Sequence, residues 1–283
     1  MPEGPEAHTI ARKLSPLITG KDLIAVTVNE VTLQQGCEYL VLPLKVCAVY
    51  ARGKRVLFVM ERGVFVTFLG MTGRWCWNPG ENSKPHLTLT FECGGAESGT
   101  NSELLMLHYL DPRRFGMVSY YFEEAPFREY FAGIGPDLLS ETPTPEQYIC
   151  TLRNVAQNQG KGRKRKIPTL TSWLLEQKYY SGVGNYLKSE ILYRAGLNPQ
   201  RTIDQLSDEE VLRMYTASVE IIQLSYQHGG LTLRDYWSPN GERGTYPCEI
   251  YGRNGQRDKH QFLIQSYKDE NGRNTFWVPE IQR

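Results

Sequence analysis

The sequence lacks the features that mark membrane-spanning and secreted proteins. Its 283 residues contain no run of about 18 apolar residues, so we expect no membrane span. The N-terminus has no basic stretch followed by an apolar one, which predicts a soluble, intracellular protein. The 6 cysteines form no CxxC pair, and we therefore expect free thiols rather than disulfides.

Charge is nearly balanced over the whole chain but is unevenly distributed. The net charge is only +1, which by itself says nothing about a nucleic-acid partner. Residues 1–150 carry 13 Lys and Arg against 17 Asp and Glu, a net of −4, whereas residues 151–283 carry 19 against 14, a net of +5. The basic run at 161–166 fits phosphate attraction as well as it fits a solvated loop or a localisation signal.

The first six residues, MPEGPE, combine an amine with two carboxylates. If Met1 is removed, Pro2 presents a secondary amine with a pKa near about 8, so that a useful fraction is neutral and nucleophilic at pH 7. Glu3 is adjacent and Glu6 lies one helical turn further on the same face, where carboxylates can move protons. This set predicts covalent catalysis through a Schiff base. The alternative is a purely structural helix start, with proline in the first turn and acidic residues favoured by the helix dipole.

Hydrophobic patterns divide the chain into a strand-rich and a helix-rich part. A helix is predicted over 2–19, and the residues from 23 to 125 form β-branched and aromatic segments separated by short turns, which is typical of a β-sandwich or barrel. Residues 133–145 are rich in Gly, Pro and Thr and are predicted to be a linker. Helical spacing dominates from 146, and the tail over 246–283 is predicted to be a hairpin module.

The helix-rich part contains a glycine loop, Gly182-Val183-Gly184-Asn185. Such a loop exposes backbone N–H groups at a helix N-terminus and can bind an anion, although two glycines also make a tight corner between helices. The loop lacks the third glycine of a dinucleotide fingerprint and the Gly-Lys-Ser/Thr of a P-loop, which argues against a nucleotide site. The spacing also predicts a Glu190–Arg194 ion pair and a Ser207–Glu210 capping box on the following helices.

The MPEGPE start resembles that of the formamidopyrimidine-DNA glycosylase and endonuclease VIII family. More of the family's motifs follow in its order along nearly the whole chain: GK at 53–54, LGMTG at 69–73, DPRRFG at 111–116, GVGN at 182–185, GR at 252–253 and GRNT at 272–275. One such motif is weak evidence, whereas the ordered set is specific. The resemblance implies an α+β fold: an N-terminal helix with a two-layered β-sandwich at 1–132, a linker at 133–145, a helix–two-turn–helix domain at 146–245 and an antiparallel β-hairpin finger at 246–283.

The resemblance also implies roles for individual residues. Pro2 is the expected nucleophile, Glu3 moves protons with support from Glu6, and Lys54 contacts the phosphate near the damaged sugar and assists catalysis. Four residues match phosphate-contacting positions of the family: His86, Gly184, Asn185 and Arg273. From the residue types alone, the alternatives are an ordinary surface lysine at a strand start for Lys54 and a structural histidine for His86.

Three further residues match the side chains that fill the gap left by an extruded base: Met71, Arg113 and Phe115. Extruding a base leaves a hole in the stack, and apolar or planar side chains offset the cost of a few kcal/mol. Met71 as a core residue is the alternative. A loop near the extruded base, within 234–246, is expected to contribute to base preference.

The tail resembles the family's zinc finger without its metal ligands. The four places that hold cysteines in zinc-containing relatives correspond to Asp258, Gln261, Val278 and Ile281, and two of these four cannot bind a metal. Cys248 and His260 remain, but two ligands do not make a structural zinc site. We therefore expect a zincless finger, no cofactor, and a place in the endonuclease VIII-like branch. The source implied is a eukaryote or a giant, mimivirus-type virus.

Together these motifs imply a bifunctional DNA glycosylase and AP lyase of base-excision repair. The expected partner is double-stranded DNA that contains an oxidised base or an abasic site, and the expected products arise by β,δ-elimination. Gly4 resembles the endonuclease VIII side of the family, so oxidised pyrimidines and hydantoins are expected substrates. An enzyme directed at 8-oxoguanine and formamidopyrimidine, or a DNA-binding protein without catalysis, are the alternatives. We expect a monomer with no membrane association, acting in the nucleus or at a site of DNA replication if the source is a eukaryote or a virus.

Overall fold

The computed structural model describes residues 2–30, 34–93, 103–159, 166–231 and 238–283. Backbone contacts divide the chain into two compact units. The strand unit comprises Met1–Ala132 and His228–Thr245, and the helical unit comprises Gly133–Gln227 and Tyr246–Arg283. Most of the basic run at 161–166 and the residues 234–237 of the loop expected near the base lie outside the described residues.

The described residues form six α-helices and eleven β-strands. The helices are α1 Gly4–Ile18, α2 Glu124–Ala132, α3 Pro145–Gln159, α4 Leu170–Leu175, α5 Asn185–Ala195 and α6 Asp208–Gln227. The strands are β1 Asp22–Val28, β2 Gln34–Gln35, β3 Leu44–Arg52, β4 Arg55–Met60, β5 Val64–Phe68, β6 Arg74–Cys76, β7 Leu87–Cys93, β8 Glu103–Leu110, β9 Met117–Tyr121, β10 Gln265–Lys268 and β11 Asn274–Trp277.

The strand unit is built on one continuous sheet that folds into two layers. Its strand order is β2-β9-β5-β4-β3-β1-β7-β8-β6, and β2 and β9 pair in parallel whereas the other neighbouring pairs are antiparallel. Strands β1 and β3 are joined only near their starts, where Asp22 pairs with Lys45 and Leu23 with Leu44. Phe58 of β4 and Trp75 of β6 pack with ring centroids 5.2 Å apart, so the two layers share one apolar core.

Helix α1 packs one face against this core. Its buried side chains include Ala7, Ile10, Leu14 and Ile18, which recur at the spacing of an amphipathic helix. The helix begins at Gly4 rather than at residue 2, because Glu3 occupies the N-cap position in an extended conformation. This arrangement places the predicted nucleophile and both predicted carboxylates at the positive end of the helix.

The helical unit combines α3 to α6 with an antiparallel hairpin of β10 and β11. The α+β fold class, with a sandwich-like sheet, a helical part and a terminal hairpin, is thereby confirmed. The predicted boundaries assigned 228–245 to the helical domain and made 246–283 a separate finger, whereas the contacts group 228–245 with the strands and 246–283 with the helices. Residues 133–144 contain the fully buried Asp137, which forms a β-bridge with Ser181.

No helix in the described part of the chain combines the length and the hydropathy that a bilayer crossing requires.

Candidate active site and nucleic-acid interface

The predicted catalytic carboxylates form a reciprocal cap at the start of α1. The backbone N–H of Glu3 donates to Oε2 of Glu6 at 2.8 Å, and the Glu3 side chain accepts from the backbone of Glu6 in turn. Both side chains are buried, with exposures of 2% for Glu3 and 0% for Glu6. The prediction that Glu3 and Glu6 share a face is therefore confirmed, and the carboxylate of Glu6 orients the backbone of the residue next to Pro2.

Glu6 has a second partner that no sequence pattern indicated. Its Oε1 accepts a hydrogen bond of 2.7 Å from the backbone N–H of Leu231. The preceding Gly230 has a φ of +93°, and a Cβ there would lie 2.4 Å from the same Oε1. Only a glycine allows the chain this close to the carboxylate. The two adjacent glycines at 229 and 230 are the sequence signal from which this close approach could be suspected.

Helix α1 contacts the chain again beyond the undescribed residues 232–237. Lys13 donates to Oγ of Ser238 at 3.1 Å and forms an ion pair with Glu242. Ser238 is itself buried, and its backbone N–H donates to the carbonyl of Glu242 at 2.8 Å. The helix that carries the predicted catalytic residues therefore contacts both Leu231 and Ser238, the second of which lies within the loop region expected to contribute to base preference.

Lys54 lies in the tight turn between β3 and β4. Gly53 precedes it with a φ of +58°, and the Lys54 side chain is only 7% exposed, so it is not an ordinary surface lysine. The neighbouring Arg55 donates from Nε to the hydroxyl of Tyr130 at 2.8 Å and stacks its guanidinium over the Phe68 ring. These contacts hold the turn that presents Lys54.

The three predicted gap-filling side chains are exposed and lie on two loops. Met71 is 38% and Phe115 54% exposed, which excludes the core alternative for Met71. The Arg113 guanidinium carbon lies 5.1 Å from the centre of the Phe115 ring, a cation–π contact. Apolar and planar groups held towards solvent in this way suit insertion into a nucleic-acid stack.

Two buried residues join these loops. The Thr72 hydroxyl donates to Oδ1 of Asp111 at 2.5 Å and accepts from the backbone N–H of Arg113 at 3.2 Å. Oδ2 of Asp111 accepts from the N–H of Gly116 at 2.6 Å. Asp111 is fully buried and binds both Thr72, next to Met71, and Gly116, next to Phe115. It therefore sets the position of Met71 relative to Arg113 and Phe115. The two partners are 39 residues apart, and no sequence pattern pairs them.

His86 is half-buried beside the same loop. Its Nε2 lies 3.0 Å from the carbonyl oxygen of Asp111, so this ring nitrogen is the donor in that contact. The backbone N–H of His86 also donates to the carbonyl of Tyr109 at 2.8 Å. These bonds give His86 a structural role. Its predicted phosphate contact stays a prediction.

In the helical unit, the glycine loop opens directly into α5. Gly184 is the N-cap residue of this helix and Asn185 its first residue. Gly182 has a φ of +108°, and its N–H donates to Oε1 of Gln177, whose amide in turn donates to the carbonyl of Val183 at 2.9 Å. The side chain of Gln177 therefore holds the loop, and the loop presents backbone N–H groups at the positive end of an 11-residue helix.

The Glu190 side chain of α5 is turned towards the tail segment 249–251 rather than towards solvent. Glu190 is 1% exposed and accepts hydrogen bonds of 2.8, 3.0 and 2.9 Å from the backbone N–H groups of 249, 250 and 251. Burial raises the pKa of Glu190, and the three N–H donors lower it only in part. The predicted Glu190–Arg194 pair is wrong, since Arg194 binds Glu249 at 3.0 Å instead.

The four positions that correspond to zinc ligands do not fit a zinc ion. Val278 and Ile281 offer no donor atom, and Val278 is fully buried in an apolar cluster with Tyr193, Ile250 and Ile264. The carboxylate of Asp258 is engaged by the Tyr193 hydroxyl and by backbone N–H groups. In the described ranges, no group of three or more His, Cys, Asp or Glu residues could hold a metal.

Arg273 lies in the turn between β10 and β11. Its backbone N–H donates to Oδ1 of Asp269 at 3.0 Å, and its carbonyl accepts from the N–H of Asp269 at 2.9 Å. Its side chain is exposed, and Asn185 donates from Nδ2 to the carbonyl of the adjacent Asn274 at 3.0 Å. Within the helical unit, the two predicted phosphate ligands Asn185 and Arg273 are therefore brought together.

Comparisons with known proteins agree along the whole chain. Residues 1–118 match the family described as the formamidopyrimidine-DNA glycosylase N-terminal domain, and residues 130–236 match the formamidopyrimidine-DNA glycosylase H2TH domain. A formamidopyrimidine-DNA glycosylase of Xanthomonas campestris pv. campestris (strain B100) is 31% identical over 293 residues, with 100% of each chain covered. That of Zymomonas mobilis subsp. mobilis is 30% identical over 291 residues, also with 100% of each chain covered.

Solved structures show the same fold. The crystal structure of the MutM (Fpg) protein from Thermus thermophilus is similar with a TM-score of 0.84 and 29% identity, covering 99% of this chain and 98% of that one. A complex of Lactococcus lactis Fpg with abasic-site DNA has a TM-score of 0.83 at 24% identity, covering 99% of both chains. The fold and the sequence matches define a DNA glycosylase of base-excision repair. The chain belongs to the formamidopyrimidine-DNA glycosylase family, as its motifs predicted.

Proposed function

We propose that the protein is a bifunctional DNA glycosylase and AP lyase in which Pro2, freed by removal of Met1, is the nucleophile. The observation that carries this proposal is the reciprocal cap of Glu3 and Glu6 directly beside Pro2. The Pro2 amine attacks the anomeric carbon of an extruded nucleoside, the N-glycosidic bond breaks, and the base leaves with a proton. The sugar then opens to an iminium on Pro2.

The two carboxylates have different proposed roles. Glu3 moves protons to and from the sugar, because it is adjacent to the nucleophile. Glu6 holds the backbone N–H of Glu3 and that of Leu231, so it positions the reacting groups. From the iminium, loss of a 2′ proton expels the 3′ phosphate and a second elimination expels the 5′ phosphate. Water finally releases the amine, and these steps require no cofactor.

Borohydride trapping tests this chemistry. Incubating the protein and oxidised duplex DNA with borohydride reduces the iminium to a stable amine, so an active enzyme becomes covalently attached to DNA. We expect trapping in the wild type, none in a protein that retains Met1, and reduced trapping in Pro2→Gly, whose primary α-amine replaces the ring-oriented secondary amine. Binding of damaged DNA without any trapping would instead support the non-catalytic alternative, and unchanged trapping in Pro2→Gly would assign the nucleophile to another amine.

We propose that phosphates are held by Lys54 and His86 of the strand unit and by Gly184, Asn185 and Arg273 of the helical unit. Arg273 is an exposed cation on a hydrogen-bonded turn, and a guanidinium suits bidentate binding of a phosphate. Asn185 and Gly184 add neutral donors at a helix N-terminus. Arg273→Ala is expected to weaken binding of damaged and undamaged duplexes alike, and a loss limited to one lesion would mean that Arg273 contacts the base.

The proposed finger folds without a metal. Its metal-ligand positions are filled by a capped turn at Asp258 and by apolar packing at Val278, which serve the function that a bound ion has in zinc-containing relatives. A chelator is therefore expected to change neither the melting temperature nor the activity of the purified protein. Zinc present at one equivalent per chain in elemental analysis would contradict this.

We propose oxidised pyrimidines and hydantoin lesions as the substrates, on the endonuclease VIII-like branch. Gly4 at the start of α1 and the finger without ligand residues support this assignment. The second candidate is 8-oxoguanine and formamidopyrimidine, and formamidopyrimidine is supported by the names of similar proteins, which are called formamidopyrimidine-DNA glycosylases. Duplexes with one thymine glycol or one 8-oxoguanine, compared under single-turnover conditions, separate the two. Faster cleavage of the 8-oxoguanine duplex would support the second candidate.

A further inference from the structure

The helical unit contains a lysine that is completely buried. Lys188 on α5 is 0% exposed, and its Nζ lies 2.9 Å from Oδ2 of Asp269, whose side chain is 1% exposed. A fully buried lysine is rare, because desolvation of an ammonium is costly. A buried ion pair seldom makes a fold more stable than apolar residues of the same size do. Stability alone therefore does not account for this pair.

All three N–H donors of the Lys188 ammonium have partners, at the start of α5 or in the hairpin formed by β10 and β11. Nζ donates to Oδ1 of Asn185 at 2.9 Å, to Oδ2 of Asp269 at 2.9 Å and to Oγ1 of Thr275 at 2.6 Å. The Thr275 hydroxyl in turn donates to Asp269 at 3.0 Å. One ammonium thus connects the first residue of α5 with the hairpin formed by β10 and β11.

Asp269 extends this network to Arg273. Its Oδ1 accepts from the backbone N–H groups of Asn271 and Arg273, both at 3.0 Å, and so closes the hairpin turn. Although burial acts to raise it, the hydrogen bonds from Lys188, from the N–H of Arg273 and from Thr275 leave the pKa of Asp269 below its ordinary value. The ionised carboxylate therefore fixes the backbone of Arg273 and binds Lys188 at the same time.

A second turn of the finger is built in the same way. Oδ1 of Asp258 accepts from the N–H groups of His260 at 2.9 Å and Phe262 at 2.8 Å, while its Oδ2 accepts from the Tyr193 hydroxyl at 2.8 Å. In both turns one carboxylate oxygen closes the turn and the other binds a side chain of α5. This repetition indicates that α5 is the scaffold on which the finger is ordered.

We propose that Lys188 is a positioning residue that sets the separation of the Asn185 amide and the Arg273 guanidinium, so that both grip one stretch of phosphate backbone. Lys188 itself is buried and acts only through these two residues. The inference rests on the proposed phosphate-binding role of Asn185 and Arg273. It assigns to the Lys188–Asp269 ion pair the ordering of the turn that carries Arg273.

The test compares Lys188→Met with Arg273→Ala, the double variant and the exposed-lysine control Lys178→Met. Affinity is measured for a duplex with a tetrahydrofuran abasic-site analogue at several salt concentrations. We expect Lys188→Met to weaken binding about tenfold. The slope of log affinity against log salt concentration is expected to become shallower by about 0.9, the change that loss of one phosphate contact produces. Because Lys188 acts by setting the position of Arg273 relative to Asn185, it has no such effect once Arg273 is removed, and the double variant is expected to bind little more weakly than either single variant.

A purely structural role predicts different results. Losses that multiply in the double variant, or an unchanged salt slope in Lys188→Met, would overturn the inference. Trapping by borohydride at saturating DNA is expected to stay within about threefold of wild type, because the loss falls on binding and not on chemistry. Lys178→Met is expected to match the wild type in all of these measurements.

A further variant covers the case in which Lys188→Met does not fold. Lys188→Met combined with Asp269→Asn removes both charges and keeps an oxygen to close the turn. We expect this protein to melt near the wild-type temperature yet to bind DNA as weakly as Arg273→Ala, and wild-type affinity would overturn the inference. If Arg273→Ala itself leaves the affinity unchanged, the proposed phosphate contact and this inference both fail. If Arg273→Ala weakens binding but the Lys188 variants keep the wild-type affinity, only the inference about Lys188 fails.

Discussion

Gly230 is the residue whose replacement tests the packing around Glu6 most directly. In Gly230→Ala, the new Cβ would lie 2.4 Å from Oε1 and 2.7 Å from Cγ of Glu6, so the carboxylate has to move. The backbone N–H groups of Glu3 and Leu231 then lose an acceptor, at a cost of about 1–3 kcal/mol for each unsatisfied buried group. We expect the rate of borohydride trapping to fall between about 10- and 100-fold.

Gly20→Ala is the matched control for this variant. Gly20 also has a left-handed backbone, with a φ of +84°, but no atom lies within 4 Å of the added Cβ. Both variants therefore carry the backbone strain of about 1–2 kcal/mol, and only Gly230→Ala adds the clash. Equal trapping rates for the two variants would show that the contact with Glu6 does not affect catalysis.

Thr72 is the residue that tests the connection between the two gap-filling loops. Thr72→Val keeps the shape of the side chain but removes the hydroxyl that binds Asp111 and the N–H of Arg113. We expect a loss of about 1–3 kcal/mol in the free energy of unfolding, since buried polar groups lose partners. The fluorescence of 2-aminopurine placed opposite an abasic-site analogue reports gap filling, and its response to the protein is expected to weaken.

The exposed Thr27→Val on β1 provides the comparison for Thr72→Val. A surface substitution of this kind normally changes stability by less than about 0.5 kcal/mol. A normal 2-aminopurine response in Thr72→Val would mean that Met71, Arg113 and Phe115 hold their positions without the buried connection.

Residues within short motifs were predictable, and residues joined only by the fold were not. Glu3 and Glu6 are three positions apart on one helix, so their shared face followed from the sequence. The capping box of Ser207 and Glu210 is confirmed for the same reason. The Glu190–Arg194 prediction failed although the spacing was correct, because Glu190 is buried against backbone N–H groups of the tail segment 249–251. Spacing along a helix does not reveal what packs against it.

The turn at Asp258 makes the finger sensitive to acid. Although burial acts to raise it, the hydrogen bonds from Tyr193 and from the N–H groups of Phe262 and His260 leave the pKa of Asp258 below its ordinary value. A carboxylate with a lowered folded pKa stabilises the fold above its unfolded pKa of about 3.9, and that contribution is lost as the pH falls through the folded value. We expect the wild-type protein to be more stable than Asp258→Asn at pH 5–7, and this difference to vanish at lower pH.

Urea unfolding at a series of pH values, with hydrogen exchange of the hairpin amides as the local probe, measures this difference. Tyr193→Phe removes one of the hydrogen bonds that lower the pKa, so the pH-dependent part is expected to shrink in that background. An asparagine side chain does not titrate, so any pH dependence of the difference in stability between wild type and Asp258→Asn comes from Asp258. A difference that stays constant down to about pH 2 would therefore contradict the prediction.

Strong periodic segments were predicted as the right elements, and short ones were not. Within the strand-rich part predicted at 23–125, the segments at 64–68 and 87–91 form β5 and β7, because runs of β-branched and aromatic residues of this length favour strands. Strand β6 has only 3 residues and was not predicted, since three residues carry no measurable period. Its pairing with β8 depends on contacts distant in sequence, which local patterns do not contain.

The order of motifs along the chain was sufficient for the family, whereas the grouping of segments was not. The motifs between residue 2 and residue 275 follow one another in the same order as in the family, and the matches to the two family domains confirm the family membership. The return of 228–245 to the strand unit was not foreseen, because it depends on contacts such as that between Leu231 and Glu6. A boundary drawn where the hydrophobic period changes cannot detect a segment that rejoins an earlier unit.

The uneven charge of the chain leads to a prediction about the basic run at 161–166. The residues after 150 carry 19 Lys and Arg against 14 Asp and Glu, and five of the basic residues lie in this run. We expect replacement of these five by Gln to reduce the dependence of log affinity on log salt by about 2–4, since each neutralised phosphate contributes about 0.9 to the slope on duplex DNA. The measurement is binding of damaged and undamaged duplexes across a salt series.

The two interpretations of the run separate in this experiment. Phosphate attraction does not depend on the lesion, so both duplexes are expected to lose affinity in the same proportion, while trapping at saturating DNA stays unchanged. A single exposed substitution in the same unit, Lys178→Gln, controls for a general change in charge. An unchanged salt slope would show that the run makes no phosphate contact, which leaves the solvated loop or the localisation signal as its function.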